Sequence, residues 1–191
     1  MVPGLRAVRR HCGTCGLVLA VRYKSIMITD TTLLRHLVAT LAYRAAKVLR
    51  DVPAGFAEFS IEPRARVPVQ ILAHMADLMG WAVRMAEGQY LWRADGTRDW
   101  DTEMRRFFDG LAALDRILMS GAPLGHPPEL LIQGPLADAL THVGQLAMLR
   151  GAAGAPVRPE SYARAEIVAG RVGFEQAAPG REFDGDASAR Q

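Results

Sequence analysis

Four stretches of about 20 residues repeat apolar side chains at the 3.6-residue period of an α-helix, and this makes a four-helix bundle the economical fold. The first follows the capping run Thr29-Asp30-Thr31-Thr32 and extends to about Arg50. Leu34, Leu37, Val38, Leu41, Ala45 and Val48 form its apolar stripe, with His36, Tyr43 and Lys47 on the opposite, solvated face. The second runs from Pro68, which suits a first helical turn, to about Tyr90. Its apolar arc contains Ile71, Leu72, Met75, Leu78, Met79, Ala82 and Met85, and Asp77, Arg84 and Glu87 take the other side. The third spans about Arg98–Met119, with Trp100, Met104, Phe107, Phe108, Leu111, Leu114 and Leu118 inward. The fourth is Gln133–Arg150. Between them lie a Pro-, Gly- and charge-rich loop over 51–66, a loop over 90–97 that holds Trp92, and a turn over 121–128 where His126 is expected to be exposed.

Charge and cysteine usage narrow the classes. The chain carries a formal +3 and a pI of about 9.2, which invites a nucleic-acid reading. Of its 23 basic and 20 acidic side chains, five basic ones (Arg6, Arg9, Arg10, Arg22, Lys24) and no acidic ones fall in residues 1–26, so the body is net −2 and has no electrostatic reason to seek phosphate. Nucleic acid is therefore not an expected partner. Both cysteines, Cys12 and Cys15, lie in the same segment. Their CxxC spacing can hold zinc or form a redox pair, but it lacks a second ligand pair. Residues 1–26 are read as an extension, disordered or preceding a natural start at Met27. Residues 27–154 are read as the bundle and 155–191 as a tail partly packed on it, its last dozen residues disordered. With no disulfide framework in the body and no apolar run long enough to span a bilayer, a cytoplasmic protein is the default.

The polar residues of two helices stand out. On the fourth, Leu136, Leu140, Val143 and Ala147 make one stripe and Asp138, His142, Gln145 and Leu149 another. Asp138 and His142 are four residues apart and rise from one face, where a carboxylate and an imidazole can share a divalent metal or can both face water. His74 falls at the edge of the apolar arc of the second helix. There it is either a core histidine satisfied by a neighbour or a ligand. Bundles build metal sites from facing helices, which joins His74 to the Asp138/His142 pair as one hypothesis.

The stretches ILAHMADLMGWAV and PLADALTHVGQLAMLRGAAGAPV resemble the DinB/YfiT-like superfamily of metal-dependent bundle proteins, over about residues 30–155. In that family a histidine of the second helix joins an HxxxH pair in the fourth. His74 matches the first position, and His142, followed by Val143, Gly144 and Gln145, matches the last. Asp138 stands where the family most often has histidine, which gives two histidines and a carboxylate, a set suited to zinc, nickel, iron or manganese. The resemblance implies an open metal position that takes a low-molecular-weight thiol, used by a transferase or isomerase on a small-molecule substrate, or else a metal-dependent hydrolase, and it implies a homodimer. Gln145, one turn beyond His142, and Trp81 are the residues expected to support a ligand or meet substrate. The competing reading is a non-catalytic stress-related or interaction bundle with a vestigial site. Catalysis predicts an open apolar pocket at His74, and the alternative predicts His74 packed with no room for a ligand.

Overall fold

The computed structural model describes residues 30–183. The expectations for residues 1–26, Cys12, Cys15 and Met27, and for residues 184–191, lie outside that range. Helix α1 is Asp30–Leu49, α2 is Pro68–Ala86 and α3 is Trp100–Met119. The fourth rod starts earlier than the sequence suggests, as α4, Pro128–Leu131, passes through a π-helical turn, Ile132–Leu136, and continues as α5, Ala137–Ala152. The architecture is all-helical. Among the described residues the only strand-like feature is an isolated bridge between Glu160 and Glu182. No helix among them is long and apolar enough to cross a membrane.

Helix α2 packs on α3 and α5, and α1 packs on the same two. The residues that meet across α2 and α3 ascend together. Arg106 Nη2 donates to Asp77 Oδ1 at 2.6 Å, and Gly110 lies against Met79. These helices are therefore parallel, whereas α5 runs antiparallel to α2, with His142 beside His74 and Gly134 beside Trp81. A side chain at Gly110 would place its Cβ 2.6 Å from Met79 Cβ, so only glycine permits this approach.

Parallel neighbours need a connection that returns along the bundle. Residues 87–99 supply it, leaving α2 through Gly88 at φ 88° and ending at Asp99, whose carboxylate caps α3 by accepting from Thr102 N at 2.8 Å. This is why α2 stops at Ala86 and not near Tyr90. The crossover is fastened to α2 by Asp77, which accepts from Asp95 N at 3.1 Å, and to α3 by Glu103, which accepts from Thr97 N. Asp77 and Glu103 are buried and share Arg106. Asp77 was expected on a polar face, and the returning crossover is what covers it.

The tail covers α1 in a similar way. Tyr43 and Lys47, expected in solvent, are buried. Glu160 accepts from Tyr43 Oη and from Lys47 Nζ, both at 2.8 Å, and Lys47 also pairs with Glu182 at 2.8 Å. Burial, followed by the Glu160 hydrogen bond, pushes the Tyr43 hydroxyl well above the usual tyrosine range. Residues 166–172 are irregular, with Ile167 and Val172 against the core. His36 is exposed, as its wheel position predicts.

The fourth rod kinks because Pro135 has no N–H to donate, and Gly134 takes φ −90° and ψ −105°, outside helical values. Leu131 and Leu136 are both fully buried although five residues apart. On a straight helix they would point about 140° apart, so the kink is what returns both to the core. At the far end Arg150 is buried and its guanidinium caps the end of α1. Nη1 donates to the carbonyls of Val48 (3.0 Å) and Arg50 (2.7 Å), Nη2 to that of Asp51 (3.2 Å), and Nε to that of Ala155 (3.0 Å).

Candidate metal centre

His74 on α2 and Asp138 and His142 on α5 converge, each offering one donor atom, and the three atoms lie within 4.8 Å of one another. His74 Nε2 is 3.4 Å from Asp138 Oδ2, and His142 Nε2 is 3.3 Å from Asp138 Oδ1. The two imidazole rings are 4.9 Å apart with planes at 88°. These separations are long for hydrogen bonds between such groups. Each is close to the spacing of about 3.4 Å between ligands that stand 2.0–2.1 Å from a tetrahedral metal, although the two run to different oxygens of Asp138. The donor set fits a divalent cation on chemistry as well, with two imidazole nitrogens and one anionic oxygen. Zinc, nickel, iron and manganese all remain compatible with it.

The arrangement follows from helix geometry. Asp138 and His142 are one turn apart, and antiparallel α5 brings that turn level with His74. His142 is buried, and Gln145 Oε1 accepts from its Nδ1–H at 2.7 Å. That bond fixes the tautomer and turns the Nε2 lone pair towards Asp138. Of the expected stripe Asp138–His142–Gln145–Leu149, only Gln145 is exposed. Asp138 is half-exposed, and His142 and Leu149 are buried because α2 covers this side of α5 as well.

Trp81 does not join the three donors. It meets the centre through Trp92 of the crossover, whose ring lies 5.5 Å from that of His74 and 5.8 Å from that of Trp81. Trp81 also packs edge-on to Tyr90 and faces Gly134 at the kink, and its indole N–H is buried without a partner among the described residues. Trp92 is the neighbour that sequence reasoning missed. It belongs to a loop without periodicity, and only the parallel α2/α3 pairing brings that loop back over His74. His126, expected to be exposed, is part-buried, and its Nδ1 bonds the Met85 carbonyl at 2.9 Å near the end of α2.

Two clefts reach the centre. One of about 350 Å³ opens on His142 and Gln145 between Ile61, Ile71, Met148 and Leu149. The other, about 360 Å³, opens on His74 and is lined by polar groups including Gln70, Thr97 and Arg98. The apolar pocket expected at His74 therefore lies at His142. His74 itself is not sealed, with 24% of its side chain exposed.

Burial is the largest influence on His74 and lowers its pKa; nearby His142 and Arg66 push the same way, and Asp138 opposes them. An unfolded histidine titrates near 6.5. Below that value the unfolded chain binds the proton more readily than the fold does. The stability that neutral His74 contributes is thus complete above about pH 6.5 and is lost as the pH falls through the lower folded value. For chelator-treated protein, the urea midpoint of the wild type is expected to drop more steeply below pH 6.5 than that of His74→Gln. Parallel curves for the two proteins would contradict this.

No family model, curated protein or solved structure matches the chain.

Proposed function

We propose that this chain is a divalent-metal protein of DinB/YfiT type, with His74, Asp138 and His142 as ligands. We further propose that it acts as a thiol-dependent transferase or isomerase on a small molecule. The observation that carries the metal reading is the convergence of three donor side chains from two helices within 4.8 Å, at separations too long for strong hydrogen bonds. Three protein ligands leave coordination positions free, the pattern of catalytic and not of closed structural sites. When bound, the metal supplies a Lewis acid that lowers the pKa of a water or thiol or polarises a carbonyl.

The chain's own groups have distinct parts in this. His74, held neutral by burial, presents Nε2 without first having to shed a proton at neutral pH. Asp138 supplies one negative charge. Gln145 keeps the His142 ring in register. Trp92 shields one side of His74, and the two clefts admit a reactant from the others. Those clefts favour catalysis over a vestigial site, which needs no room at its histidines. The thiol and the homodimer belong to the same proposal and rest on the resemblance alone.

The test is elemental analysis of tag-free protein after incubation with zinc, nickel or manganese and removal of free ions. About one metal per chain is expected. No retained metal under any of these conditions would sink the reading.

A further inference from the structure

We propose that the cleft at His142 binds a small amphipathic carboxylate, its anionic group paired with Arg66 and its hydrocarbon laid on Ile61, Ile71, Met148 and Leu149. This deepens the metal reading, on which it rests for part of the site's positive charge. The cleft's volume of about 350 Å³ is at the small end of the 300–1,000 Å³ range of small-molecule sites. Its walls are apolar, and two of them stand open, with Ile61 54% and Met148 61% exposed. Large apolar side chains held open beside a polar end are what a ligand of mixed character covers.

The charge at that end is positive. Arg66 is exposed, lines both clefts, and has no hydrogen-bond or ion-pair partner among the described residues. Other arginines of the bundle are committed elsewhere: Arg35 to Asp115, Arg106 to Asp77 and Glu103, and Arg150 to backbone carbonyls. Of the carboxylates nearby, Asp77 is held by Arg106, and Asp138 lies within the centre itself. A divalent cation with one carboxylate ligand leaves net +1, to which Arg66 adds another. Gln145 reinforces the selection. Its Oε1 is occupied by His142, so the group it can turn to a ligand is its amide NH₂, a donor. A guanidinium and an amide N–H₂ at the mouth of an apolar cleft suit a carboxylate and disfavour an amine.

The experiment is calorimetric titration of the metal-loaded full chain with hexanoate, hexan-1-ol and hexylamine. Hexanoate is expected to bind tightest. Arg66→Ala is expected to weaken hexanoate by about tenfold while leaving hexanol unchanged, consistent with loss of one charge-assisted pair. Arg64→Ala is the control, because Arg64 is exposed, pairs with Glu62 and lines neither cleft; it should leave all three ligands unaffected. Met148→Asp should weaken hexanoate and hexanol together. Equal hexanoate affinity in wild type and Arg66→Ala, no preference over hexylamine, or no binding would each overturn the proposal. Metal content is read separately. Arg66-dependent hexanoate binding by a chain that retains no metal would uphold the cleft and refute the metal centre, and metal retention without carboxylate binding would do the reverse.

Discussion

His142→Ala is expected to weaken metal binding by more than about 100-fold, and Gln145→Leu by about 10- to 100-fold. The second figure is the usual cost of removing the group that orients a ligand; the first must exceed it, because the donor itself is lost. The difference in rank is the informative part. If Asp138, His142 and Gln145 are only a polar face, the two substitutions have no reason to differ. The reading can be taken as thermal or urea stability with and without metal, since a ligand that binds only the fold stabilises it by mass action. At free metal about 1,000 times the wild-type dissociation constant, the wild type gains about 4.1 kcal/mol, and a variant 100-fold weaker about 1.4 kcal/mol. His36→Ala, on the exposed face of α1, should match the wild type. Equal gains in the wild type and His142→Ala would remove His142 from the ligand set.

The second large effect lies away from the centre. Arg150→Met is expected to destabilise the fold by roughly 3 kcal/mol, a fall of roughly 6–12 °C in Tm for a chain of this size. The buried guanidinium makes four hydrogen bonds, to Val48, Arg50, Asp51 and Ala155. Three of those acceptors are carbonyls at and just beyond the end of α1, where no further helical turn can satisfy them. Burial lowers the Arg150 pKa, and the charge of Asp51 opposes it. The carbonyl dipoles are what offset the desolvation. Arg150→Lys keeps the charge but not the planar fork, so it should fall between wild type and Arg150→Met. Unfolding free energies from urea titration of both variants within about 0.5 kcal/mol of wild type would show that this cap contributes little.

The helices were legible because their periodicity is local. Asp138 and His142 were legible for the same reason, being a single turn apart. His74 could be placed at the edge of an apolar arc and joined to the pair by the habit of bundles to build sites from facing helices, which the resemblance reinforced, since nothing in the spacing of residues 74 and 138 says which helices are neighbours. Tyr43, Lys47 and Asp77 were misread as solvated. Each sits where its own helix is polar and is buried by a segment remote in sequence or folded back: Glu160 and Glu182 of the tail, and Asp95–Thr97 of the crossover. Trp92 and Arg66 were missed because both lie on connections, which no periodicity describes. The fourth rod was started at Gln133 and not at Pro128, because Pro135 and the non-helical Gly134 interrupt the helical pattern just beyond the short first segment that ends at Leu131.

That kink sets a phase. Each residue added to or removed from a helix rotates everything beyond it by about 100°. The turn over Ile132–Leu136 lies between the part of the rod that Leu131 anchors in the core and the part that carries Asp138 and His142. Shortening the turn by one residue would keep every side chain of α5 and its composition. It would nonetheless swing the carboxylate and imidazole around the rod, away from His74. The segment behaves like a gear tooth between two shafts: tolerant of substitution in its exposed residues Ile132 and Gln133, intolerant of a change in length. Length variation among homologues should accordingly fall in the loops over 50–67 and 120–127 and spare residues 132–136.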